Sequence, residues 1–109
     1  MDYLLKTDNL EFEVAKVAVP KTDLNGVQKI DRDTQWPIYT VVLLVLDVVR
    51  ETAEDLTVSV PSPTTPNLRW REPVSVVDLE MIPWASTGGR DGALRSGVAF
   101  RAKEIRPAA

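Results

Sequence analysis

Three tryptophans, Trp36, Trp70 and Trp84, each stand within a few residues of arginine. Arg32 precedes Trp36, Arg69 and Arg71 flank Trp70, and Arg90 and Arg95 follow Trp84. Flat rings interleaved with guanidinium groups hold single nucleic-acid strands: bases stack on the rings, at roughly 1–3 kcal/mol per base, while cations follow the phosphates. The competing use is packing, with the rings of Trp36 and Trp84 plugging the ends of a core and the arginines stacked on them or paired with Glu72 and Asp91. Arg69-Trp70-Arg71 borders a proline-rich segment without apolar alternation, so Trp70 is expected at the surface. Tyr39 opens an apolar strand at the rim of the core. Arg101 and Lys103 fall at the polar positions of a late alternating run, so they and Tyr39 join the nucleic-acid-binding candidates.

Other chemistry is poorly supplied. The chain has no histidine and no cysteine, which removes thiolate nucleophiles, disulfides, the usual zinc ligands and the side chain best suited to proton transfer near neutrality. Asp31 and Asp33 offer two carboxylates to a divalent cation, but further oxygen ligands are missing and acidic turns commonly just face water. Gly88-Gly89-Arg90-Asp91-Gly92 has the composition of a phosphate-cradling loop without the Lys-Ser/Thr that completes one. No nucleophile spacing is recognisable. The reading is therefore a protein that is not an enzyme, with no cofactor and no metal.

These residues need a scaffold, and 109 residues allow one domain, 1–109, with a single core. Residues 1–66 carry six Lys/Arg against eleven Asp/Glu, a balance of −5, and residues 67–109 carry seven against five, a balance of +2. The isoelectric point near 4.9 argues against a broad cationic face for duplex DNA. The longest apolar run, Val41–Leu46 with Val48 and Val49, is far short of the roughly 20 residues of a membrane span. The start, MDYLLKTD, lacks the pattern of a secretory leader, so a cytoplasmic location is expected.

Strand signals dominate. A first strand runs from Glu11 to Val19 with a change of phase near Val14 and Ala15, and Pro20 stops it. Val27–Ile30 resumes it before a charged turn, Asp31–Gln35, which forms the lip of a barrel. Pro37–Val49 is the central strand, so apolar that both faces should be covered. After a charged turn at 50–55, Leu56–Val60 alternates cleanly. Residues 61–66 hold three prolines and form a loop. Pro73–Trp84 makes a fourth strand with a bulge, 85–92 a flexible hairpin tip, and Gly97–Lys103 a fifth strand with Val98, Phe100 and Ala102 inward. Five strands without a convincing helix predict an all-β fold, a five-stranded OB-like Greek-key barrel, with a β-sandwich as the alternative.

In the order of these features the chain resembles small actinobacterial mobile-element proteins that act as plasmid replication, integration and excision activators, and more distantly phage single-stranded DNA-binding proteins. The segments that carry the resemblance are Gly26-Val27-Gln28 to Asp31, Asp33-Thr34-Gln35-Trp36-Pro37, Leu56–Ser62, Pro73-Val74 with Leu79, and Gly97–Ala102. The resemblance spans residues 14–107 and implies a role in DNA metabolism on a phage or mobile element. The expectation is a module that binds single-stranded DNA during replication or transfer. The alternative is a protein-interaction module, an adaptor among replication proteins. The apolar central strand and open sheet edges point to a homodimer.

Overall fold

Apolar residues at every second position put one face of a strand against the core and leave the other outward. The computed structural model of the chain describes residues 2–87, 92 and 94–108, and among them there are strands and no helix. The strands are β1 (Tyr3–Leu4), β2 (Leu10–Pro20), β3 (Ile38–Asp47), β4 (Thr52–Pro61), β5 (Pro73–Val77), β6 (Glu80–Thr87), β7 (Leu94–Arg101) and β8 (Glu104–Pro107). They form one sheet in the order β1-β6-β7-β4-β3-β2-β5-β8.

Strands β2, β3 and β4 make an antiparallel meander. Phe12, Val14, Tyr39, Val41, Leu43, Val45, Val58 and Val60 fill its inner face. The expected phase change is real: the register of β2 shifts between Val14 and Lys16, and again before Val19.

The remaining strands behave as one long bent hairpin. Pairing runs in a single register from Val74 opposite Pro107, through Val77 opposite Glu104 and Glu80 opposite Arg101, to Thr87 opposite Leu94. The bend falls at Asp78, whose φ of 50° lies in the left-handed region that short polar residues tolerate. That turn drives Leu79 into the core, where it is 2% exposed, and the Lys103 amide donates to the Val77 carbonyl across the bend. One arm of the hairpin pairs with β2 through β5, and the other lies parallel to β4 through β7, so the sheet curls into a half-barrel around the core.

Beyond Phe100 the hairpin leaves the barrel. Strand β4 pairs with β7 only at Phe100 and Arg101, and β1 covers β6 only at Glu80 and Met81. Among the described residues, 82–87 and 94–99 pair only with each other, as a two-stranded ribbon, and the radius of gyration is 14.9 Å. A compact chain of this length would have about 13 Å.

Several expectations change in this light. The bend splits the fourth and fifth strands in two, and β1 adds a short edge, so the described residues form eight strands where five are expected. Val27–Ile30 makes only isolated bridges, Thr22 to Gln28 and Ile30 to Pro37, because the loop spends its hydrogen bonds on two tight turns. The turn after β3 is confined to residues 48–51, with Glu51 at φ 58°, and β4 starts at Thr52. The outer face of β3 is only half-covered, since its side chains alternate between buried and intermediate. Val98 is exposed because it lies on the two-stranded part of the sheet, beyond the pairing of β7 with β4. Of the expected tip, 85–87 belong to β6, while Gly88 to Asp91 lie outside the described residues.

Candidate nucleic-acid interface

Register fixes which side chains share the outer face of the ribbon. Glu80, Ile82, Trp84 and Ser86 of β6 stand opposite Arg101, Ala99, Gly97 and Arg95 of β7. Trp84 lies over Gly97: a Cβ on that glycine would be 2.8 Å from Cζ2 and 3.0 Å from Cε2 of the ring. Only a residue without a side chain leaves room for the indole to lie against the backbone. The tryptophan stays 47% exposed, so the indole offers surface to water.

Next to this platform, where β7 meets β4, a groove of about 160 Å³ is lined by Lys21, Ile38, Ser59, Ile82, Ala99 and Arg101, with the Asp31 carboxylate also on its wall. Lys21 Nζ donates to Ser59 Oγ at 2.8 Å. Partial burial, with Lys29 nearby, lowers the Lys21 pKa. Arg101 is already engaged: one terminal nitrogen donates to Glu80 Oε2 at 2.8 Å and to Asp2 Oδ2 at 2.9 Å. The Glu80 hydrogen bond raises its pKa.

The lip, residues 21–37, is a braced loop. Lys29 bridges the two flanking strands, its amide donating to the Lys21 carbonyl and its carbonyl accepting from Ile38. Asp23 Oδ1 accepts from the Asn25 and Val27 amides, and Gly26 takes φ 82° at the tip. Asp31 Oδ2 accepts from the Thr34 amide and hydroxyl at 3.0 and 2.8 Å, which lowers its pKa. Asp31 and Asp33 line a hollow with Asp78, Glu80, Arg101 and Lys103. Among the described residues no group of carboxylates is arranged to hold a metal ion.

The three rings are all exposed, but in three places. Trp36 is 43% exposed on the lip, its amide donating to Thr34 Oγ1. Trp70 is 68% exposed, with the Arg71 guanidinium 5.8 Å from the ring centre. It borders the outer face of the meander beside Leu44 and Asp55, and Arg71 reaches Glu13 at 3.3 Å. Arg69 is exposed, and Glu72 accepts from its amide. Tyr39, expected at the rim of the core as a binding candidate, is instead buried at 7% with its hydroxyl accepting from Thr65, because its parity on β3 faces the core. Arg32 and Lys103 are exposed, Arg95 stands on the ribbon face, and Arg90 lies outside the described residues.

The fold thus gathers Trp84, Arg95 and Arg101 and leaves Trp36 and Trp70 elsewhere. Lys21 and Gly97 were missed in the sequence. A tryptophan and a glycine nearly equidistant in sequence from the glycine-rich stretch 88–92 are the available signal for Gly97, whereas nothing local marks Lys21. No family model, curated protein or solved structure matches this chain.

Proposed function

We propose that the chain is a single-stranded DNA-binding module with an OB-like barrel, acting in replication or transfer of a phage or mobile element, and that the outer face of β6–β7 is its contact surface. The architectural part rests on the bent hairpin. Counted through the bend, β5–β6 and β7–β8 are two long strands, which with β2, β3 and β4 make five. The fourth then lies beside the first, the order of a Greek key, and the fifth lies parallel to the third. OB-folds bind oligonucleotides through a sheet face and the loops after their first and fourth strands. In this chain the loop after the first strand is the lip at 21–37.

The observation that carries the reading is Trp84 seated on Gly97, an aromatic platform in one row with Arg95. Duplex DNA offers no free base face to such a ring. The test is tryptophan fluorescence against oligothymidine over a salt series, with duplex of equal length as control. Two or three phosphate contacts give a slope of log K on log salt of about −1.4 to −2.1. Saturable quenching by the single strand alone is expected, and its absence overturns the proposal.

A protein-interaction module is favoured by one different observation. Leu24, Val27 and Ile30 are exposed on the braced lip, next to the acidic hollow, which suits a protein partner better than a phosphate chain.

A further inference from the structure

The outer face of the meander is a second surface with its own pattern. Along β3 it presents Val42, Leu44 and Leu46, which are half-buried, in an apolar stripe between polar flanks. Register places Lys16 and Thr57 beside Val42, Glu13 and Asp55 beside Leu44, and Glu11 and Ala53 beside Leu46. Lys21 lies further along at the Lys16 end, bonded to Ser59. One end of the stripe thus carries Lys16 and Lys21, a balance of +2. The other carries Glu11, Glu13 and Asp55 with Arg71, a balance of −2. Trp70 stands at the acidic end, over half exposed on an otherwise well-braced backbone whose Arg71 amide donates to the Val14 carbonyl.

We propose that this face is the self-association surface of a homodimer, two copies packing sheet to sheet about a two-fold axis that lies in the interface and crosses the strands between Val42 and Leu44. Such an axis reverses strand direction, so the basic end of each copy covers the acidic end of the other, and the two apolar stripes meet in the middle. An axis along the strands would instead set acid on acid. The charge pattern selects a second copy as occupant because it is self-complementary at equal and opposite values. Trp70 of each copy closes the edge of the stripe, the role large aromatics take at interfaces. Strands of ten residues, three abreast, give a plan area of about 460 Å², a modest interface that places the dimer among weak, concentration-dependent ones. This face adjoins the groove beside the ribbon at Lys21. The residues varied below, Lys16, Glu11 and Asp55, line neither that groove nor the ribbon, so the proposal can fail without the reading of function failing.

Sedimentation equilibrium across a micromolar concentration series tests it. Wild type is expected to approach twice the 12.1 kDa of one chain. Lys16→Glu alone and the pair Glu11→Lys with Asp55→Lys alone should each remain monomeric, all three being surface changes that leave the melting curve in place. Mixed in equal amounts, the two variants should recover association, because the −2 end of the Lys16→Glu chain meets the unaltered +2 end of the other, while its own Lys16 end, now at zero, no longer opposes the end that Glu11→Lys and Asp55→Lys make basic. Trp84→Ala should dimerise as wild type does. A wild type that stays monomeric throughout, charge variants that associate unchanged, or a mixture that stays monomeric overturns the proposal.

Discussion

Gly97→Ala isolates the platform from the rest of the molecule. The new methyl would lie 2.8 Å from Cζ2 and 3.2 Å from Nε1 of Trp84, with the ring rather than a flexible chain end in its way. Carbon atoms settle at about 3.5–4.0 Å, so the ring must lift by about 0.7 Å or more or leave its rotamer, at roughly 0.5–1.5 kcal/mol. A tilted indole loses part of a stack worth roughly 1–3 kcal/mol, and a loss near 1 kcal/mol weakens oligonucleotide binding about fivefold. Stability should respond differently. Alanine in a strand gains roughly 0.5–1 kcal/mol over glycine, which offsets the displaced ring and leaves the melting temperature nearly unchanged. Binding by fluorescence anisotropy of a labelled oligothymidine and stability by thermal melting therefore diverge. In a Trp84→Ala background the same substitution should leave binding alone and raise the melting temperature, since the clash is gone. Gly97→Ala with unaltered affinity, or Trp84→Ala that binds like wild type, refutes the reasoning.

Lys21→Gln removes one cation from the groove and should lower the salt slope by about 0.7. Because burial lowers the Lys21 pKa below 10.5, wild-type affinity should fall on the alkaline side before ordinary lysines titrate, and the variant should lack that fall. Leu43→Ala empties a fully buried site at the centre of β3 and should cost about 2–5 kcal/mol by urea denaturation, a large share of the stability of a domain this size. For Asp31, hydrogen bonds from Thr34 lower the folded pKa below the unfolded one, so its contribution is present above the unfolded value and lost as pH falls through the folded one. Asp31→Asn should therefore flatten the acid limb of a stability–pH curve, by well under 1 kcal/mol for so exposed a turn.

Much of the architecture was legible because burial is written locally in β-sheets. Tyr39-Val41-Leu43-Val45 and Val58-Val60 announced their inner face by spacing, and the slip at Val14 announced the shift in β2. The bend at Asp78 was read as a bulge because both produce the same change of parity at Val74, Val76 and Leu79. A bulge adds a residue to one strand only, whereas here β5–β6 and β7–β8 keep a common register through the bend, information that exists only when both strands are seen. Composition leaves stacking and plugging both open for Trp84, because its exposure depends on where the ribbon parts from β4, which no local pattern records.

The charge asymmetry was legible too, but not its fate. The acidic first part of the chain builds the meander and the lip, and the basic second part builds the bent hairpin. Packing one on the other spends cations internally: Arg71 on Glu13, and Arg101 on Asp2 as well as on its own neighbour Glu80. A phosphate competing for Arg101 would have to displace two carboxylates from a partly desolvated site, which an exposed nucleic-acid contact does not repay. Past Glu80 the ribbon face holds Ile82, Trp84 and Ser86 opposite Ala99, Gly97 and Arg95. Trp84 and Arg95 therefore stand in one row on that face, the arrangement on which the proposed contact with a polyanion rests. In that proposal the placing of ring and guanidinium in one row, more than the number of arginines in the sequence, decides whether a net-negative protein can hold a polyanion.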